Sequence, residues 1–191
     1  MPKVARSVKE ALFFKGTARV QHFCEHNNLP VPAIHQRYKW EVSACAFYRP
    51  QRIEIYLPDC AHPATQAQVR NWNWWGSVTD REPGGVLCHE LGHHCDWLVG
   101  KNKQRHSSEY STQVMLDSGE KPITSYCPNS AEFFAEMFRL FVTNHALLQI
   151  IRPITHRLLT KKFKPVSHDD WEVELGPDVP DRIIKNLYKK L

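Results

Sequence analysis

Five consecutive residues, His89-Glu90-Leu91-Gly92-His93, constrain this chain more than any other part of it. On a helix, two imidazoles four residues apart lie on one face, about one turn from each other. So placed, they can hold one zinc ion, and the glutamate one residue on can deprotonate a water beside the metal. The surroundings read as a helix. Leu87, Leu91 and Leu98 recur at helical spacing, Gly84 and Gly85 precede the segment, and Pro83 interrupts any earlier helix. The plainer alternative is a His-rich amphipathic helix whose imidazoles are hydrogen-bonded core residues.

A zinc site of this kind needs a third protein ligand and an open position for water. The stretch from Tyr126 to Phe141 is where to look. Pro128 followed by Asn129 and Ser130 reads as a helix start, with either Asn129 or Ser130 as the N-cap, and the helix runs to about residue 143. Phe133, Phe134, Met137, Phe138, Leu140 and Phe141 make it mostly buried. Glu132 and Glu136 sit one turn apart within this apolar run. Burying unpaired carboxylates is costly, so either a cation compensates them or they lie on a solvated stripe.

These blocks resemble a known family. H-E-x-G-H-x-x-D, then T-S-Y, then A-E-F-F-A-E-x-F-R-L, is similar to the catalytic domain of anthrax lethal factor and to lethal-factor-type and phage-encoded gluzincin metallopeptidases. The matching residues are His89, Glu90, Gly92, His93 and Asp96, then Thr124, Ser125 and Tyr126, then Ala131 through Glu136 with Phe138, Arg139 and Leu140. The likeness covers about residues 85 to 142. It implies that Glu132 is the third zinc ligand, that Glu136 supports a ligand histidine from behind, and that Tyr126 stabilises the oxyanion. The Tyr126-to-Glu132 spacing is one residue shorter than in lethal factor.

The expected chemistry is hydrolysis of a peptide bond in a protein or peptide substrate. Zinc on His89, His93 and Glu132 would activate a water, with Glu90 as general base and Tyr126 as oxyanion donor. Asp96, seven residues after His89 on nearly the same helical face, could orient a ligand histidine or cap the last turn. His94 points about 100° away from His93 and reads as structural or solvent-facing. Two alternatives stand beside the peptidase. One is another zinc hydrolase, such as a peptidoglycan amidase or endopeptidase. The other is a non-catalytic zincin-fold binding module, against which the intact Glu90 argues.

The rest of the chain predicts one α+β zincin-like domain over residues 1–191, with a small sheet ahead of the active helix. A helix is expected over residues 4–27, ending near Asn27-Asn28-Leu29-Pro30. Strands are expected over 38–48 and 51–57, where an edge strand could hold an extended substrate, with loop from 58 to 83. Further helices are expected over 107–117, over 145–160 with a break at Pro153, and over 179–190. Trp72, Trp74 and Trp75 read as core, or alternatively as the wall of a substrate cleft or a surface that stacks bases. No long apolar span and no apolar leader are visible, so the expectation is a cytoplasmic chain without membrane contact. Six cysteines without a C-x-x-C pair read as free and buried, although Cys88 and Cys95 flank the motif. The net charge of +5 reflects lysines such as Lys161, Lys162, Lys164, Lys185, Lys189 and Lys190. They read as a solvated face, with nucleic acid as the alternative partner.

Overall fold

Pro83 opens the helix that carries the motif, four residues before Leu87, where the apolar spacing begins. In the computed structural model it spans Pro83–Val99 and is labelled α2. Proline suits the first helical position, where its missing N–H would have no partner anyway. Gly84, inside that first turn, serves packing. The helix before it in the chain, α1 (Arg6–His26), presents Gly16 to Gly84. A Cβ on Gly16 would stand 2.6 Å from the Gly84 Cα, so the two backbones meet where no side chain fits.

The structure describes residues 6–37, 45–57, 60, 83–100, 109–124, 127 and 129–166. Among these it is a mixed α+β fold, with six helices and one three-stranded sheet. α1 buries Phe13, Val20, Phe23 and Cys24 along one face. It stops at Asn28, whose φ of +53° is one that asparagine tolerates. Leu29 N–H bonds the Cys24 carbonyl at 2.8 Å and Asn28 N–H bonds that of Glu25 at 3.1 Å, which is the Schellman pattern.

The strands are β1 (Ala33–Gln36), β2 (Ala46–Arg49) and β3 (Arg52–Ile55), in the order β1-β3-β2. β1 runs parallel to β3, with Ile34 opposite Ile53. β2 runs antiparallel to it, with Arg49 opposite Arg52 and Pro50-Gln51 as a tight turn. Gln51 takes a φ of +65°, and its N–H bonds the Tyr48 hydroxyl at 3.1 Å. β3 lies within the expected 51–57 segment, and β2 overlaps the end of the 38–48 one. Residues 38–44 lie outside the described residues. β1 was not expected: Pro30 and Pro32 precede it, and its four residues show no run of β-branched or aromatic side chains. Pairing with buried β3, not local preference, makes it a strand.

α3 (Glu109–Ser118), α4 (Ser130–Thr143), α5 (His145–Ile151) and α6 (Pro153–Thr160) complete the set. Asn129 is the N-cap of α4, its side chain accepting from the Glu132 N–H at 3.0 Å. Asn144 ends α4 and caps α5, and Pro153 starts α6. Phe138 lies at the centre of the core, with ring centroids 5.4 Å from Phe23, 5.5 Å from Phe134 and 5.2 Å from Phe163. No helix among the described residues is long and apolar enough to cross a membrane. Trp72, Trp74, Trp75 and the expected helix over 179–190 lie outside the described residues.

Candidate metal centre

α2 and α4 pack face to face, and the motif glycine sets how closely. A Cβ on Gly92 would stand 2.8 Å from the Ala135 Cα and 3.1 Å from the Phe138 Cβ. Gly92 lies between the two motif histidines in sequence, and Ala135 lies between Glu132 and Glu136. The same close approach therefore brings the imidazole face of one helix to the carboxylate face of the other.

His89 Nε2 stands 3.1 Å from Glu132 Oε2, and His93 Nε2 stands 3.5 Å from Glu132 Oε1. One ligand atom from each of the three side chains lies within 4.8 Å of the others, so the group could hold a metal ion. A tetrahedral ion with bonds near 2.1 Å separates its ligand atoms by about 3.4 Å. The two histidine–carboxylate distances bracket that value. Exposure rises across the group: the side chain of Glu136 is 0% exposed, His89 9%, His93 17% and Glu132 20%. The ligand set is therefore closed on the Glu136 side and open on the other, where a small molecule could enter.

The proton inventory favours a cation at the centre. His89 Nδ1 lies 2.7 Å from Glu136 Oε1. An ionised carboxylate can only accept, so the proton sits on Nδ1. In the neutral ring, Nε2 then presents a lone pair to the Glu132 carboxylate. Glu132 Oε2 is buried and takes no hydrogen bond, despite the imidazole nitrogen 3.1 Å away. Two lone pairs face each other there, an arrangement that a positive charge between them makes favourable. Where protons on the two imidazoles take the place of an ion, burial still pushes the Glu132 carboxyl up, but the bonds and charge of His89 and His93 outweigh it and hold Glu132 well below the usual carboxylate range.

Glu90, on α2, is buried and close enough to His89, His93 and Glu132 for their charges to act on it. Burial raises its pKa, against the pull of His89 and His93 and with the help of repulsion from Glu132. A carboxyl so placed is a better proton acceptor than one in water. Glu90, Glu132 and Glu136 together bring three buried or half-buried carboxyls to one place. Arg139, one turn after Glu136 on α4, forms an ion pair with Glu136 Oε1. A divalent cation would balance what Arg139 leaves uncompensated.

The remaining site candidates divide. Asp96 is buried, and its Oδ1 accepts from the Ser111 N–H at 2.9 Å, which ties α2 to the first turn of α3. His94 is fully buried and is not solvent-facing. Its Nε2 lies 2.8 Å from the Pro30 carbonyl and its Nδ1 3.1 Å from the Tyr48 hydroxyl. A carbonyl can only accept, so Nε2 carries the proton and Nδ1 receives that of Tyr48. Burial lowers the His94 pKa against the opposing Pro30 bond, in keeping with this neutral ring. Tyr126 lies outside the described residues. Two participants had no assigned role in the sequence. Arg139 carried a local signal, three residues after Glu136 on one helix face. Tyr48 carried none: its ring reaches 6.5 Å from that of His93 only because β2 packs beside α2.

In comparisons with known protein families, curated proteins and solved structures, the chain matches none.

Proposed function

We propose that this chain is a zinc-dependent metallopeptidase of gluzincin type with a zincin-like fold. The observation that carries the reading is the convergence of His89, His93 and Glu132 from two helices, with Glu90 beside them on α2. Two imidazoles and one carboxylate with an open side suit catalytic zinc; iron(II) uses the same donor types elsewhere, and the glutamate that follows the first histidine in H-E-x-x-H is what favours zinc and hydrolysis here. When bound, zinc supplies Lewis acidity that acidifies a water and polarises a carbonyl. Glu90 takes the proton of the attacking water and passes it to the leaving amine. Glu136 fixes the His89 tautomer and ring orientation, and Arg139 holds Glu136 in turn. An extended peptide would lie along β2, the antiparallel edge strand beside α2, bonding its backbone. Tyr126 is assigned to the oxyanion on the strength of the motif resemblance.

The test is metal content by elemental analysis on wild type, Glu132→Ala and Glu90→Gln, with peptide-library cleavage in parallel. One zinc per wild-type chain is expected, lost in Glu132→Ala and kept in Glu90→Gln. Cleavage should fall by a factor of about 10²–10⁴ in Glu90→Gln. A wild-type chain that takes up no zinc would sink the site. Zinc retained without any peptide cleavage would favour the binding module.

A further inference from the structure

Cys45 opens β2 and Cys60 follows β3, and the sheet register brings them together. Tyr56 N–H bonds the Cys45 carbonyl at 2.7 Å, continuing the β2–β3 ladder past Ala46 and Ile55. The chain then turns, with Cys60 N–H bonded to the Leu57 carbonyl at 3.1 Å. This turn returns the Cys60 sulfur to 3.9 Å from the Cys45 carbonyl and 3.7 Å from that of Tyr56. A cysteine beside the end of the β2–β3 ladder and one in the turn that follows it, with the second sulfur against the backbone of the first, are within reach of a disulfide.

We propose that Cys45 and Cys60 are a modification site: a thiol pair that a peroxide closes to a reversible disulfide, stapling the chain beyond β3 to the edge strand β2. The peroxide oxidises Cys45 first. The Cys45 thiolate attacks one peroxide oxygen and becomes a sulfenic acid, and the other oxygen leaves as hydroxide. The Cys60 sulfur then displaces the sulfenic hydroxyl. The S–S bond forms, the S–O bond breaks, and water departs with the Cys60 proton. Two electrons pass from the sulfurs to the peroxide, and a dithiol returns them.

Access and charge together select Cys45 as the thiol that reacts first, with buried Cys60 beside it to resolve the intermediate. Cys24, Cys88 and Cys95 are fully buried, whereas Cys45 is half-buried and reachable. The hydrogen bond from Cys60 lowers the Cys45 pKa against burial, and nearby Arg139 and His89 assist while Glu90 opposes. Burial instead pushes Cys24 up to about 12, and raises Cys95 and Cys127. A disulfide here would also fix the start of the strand whose Tyr48 lies over His93.

The inference is independent of peptidase activity and is tested on the full chain. Reduced protein is treated with one equivalent of hydrogen peroxide, alkylated, digested without reductant and mapped by mass spectrometry. A cross-link between the Cys45 and Cys60 peptides, lighter by two hydrogen atoms and reversed by dithiothreitol, is expected. In Cys60→Ser, the intermediate should accumulate as a dimedone adduct on Cys45. Cys45 still fully alkylated in the wild type, or a cross-link that joins Cys127 to either residue instead, would overturn the proposal. The wild-type map decides even where the variant folds poorly.

Discussion

At His89, one buried carboxylate decides which nitrogen is free to bind. Glu136 Oε1 accepts from Nδ1 and also pairs with Arg139, all shielded from water. Glu136→Gln keeps the shape and an acceptor oxygen but removes the charge that favours an electron-rich imidazole. We expect zinc affinity to fall about 10–100-fold in this variant, measured by competition with a chromophoric chelator. Unchanged affinity would mean that Glu136 serves Arg139 alone. Glu136→Ala is the poorer experiment, because it leaves the Arg139 guanidinium buried without its anion.

At the scale of elements, the site is a contact between two helices, and Gly92 sets their spacing. A methyl at that position meets the Ala135 backbone at 2.8 Å, and backbone cannot rotate away. Gly92→Ala should destabilise the protein by about 1–3 kcal/mol through overpacking, despite alanine's better helix propensity. It should weaken zinc binding as well, since any separation of α2 from α4 moves both histidines off Glu132. Thermal unfolding and a zinc titration check the two effects, and a stabilised variant would refute the close approach. This contact also marks how far the sequence could be read. Helical spacing, the Asn129 cap and the break at Pro153 are local signals, and the elements they mark are present with nearly the expected bounds. The histidine pair was legible for the same reason, since one turn of helix fixes it. What depended on the other half of the molecule was not legible. β1 is a strand because β3 is beside it, Tyr48 reaches His93 across the sheet–helix boundary, and Gly84 lies inside α2 because Gly16 of α1 packs on it.

At the scale of the whole molecule, a half-buried histidine remote from the candidate metal site predicts that stability depends on pH. His156 on α6 stacks on His145 at 6.0 Å and lies 5.8 Å from Phe141, and its Nε2 is buried with no hydrogen bond. Burial lowers its pKa, and the neighbouring His145 lowers it further. The folded ring therefore stays neutral at a pH where the unfolded one, with a pKa near 6.5, takes up a proton. In that window the unfolded state binds more protons, so stability falls as pH drops below about 6.5 and levels off below the folded value. Above about 6.5 the group contributes no slope. His156→Phe keeps a flat ring against Phe141 and removes a nitrogen that has no partner, so it should cost little at neutral pH. We expect its unfolding temperature to match or exceed that of the wild type near pH 7.5, and to fall less than the wild type's on going to about pH 5.5. Both proteins are measured with chelator present, so that competition between protons and zinc does not contribute. An equal acid loss in the two proteins would show that His156 titrates normally and that its burial carries no pH dependence.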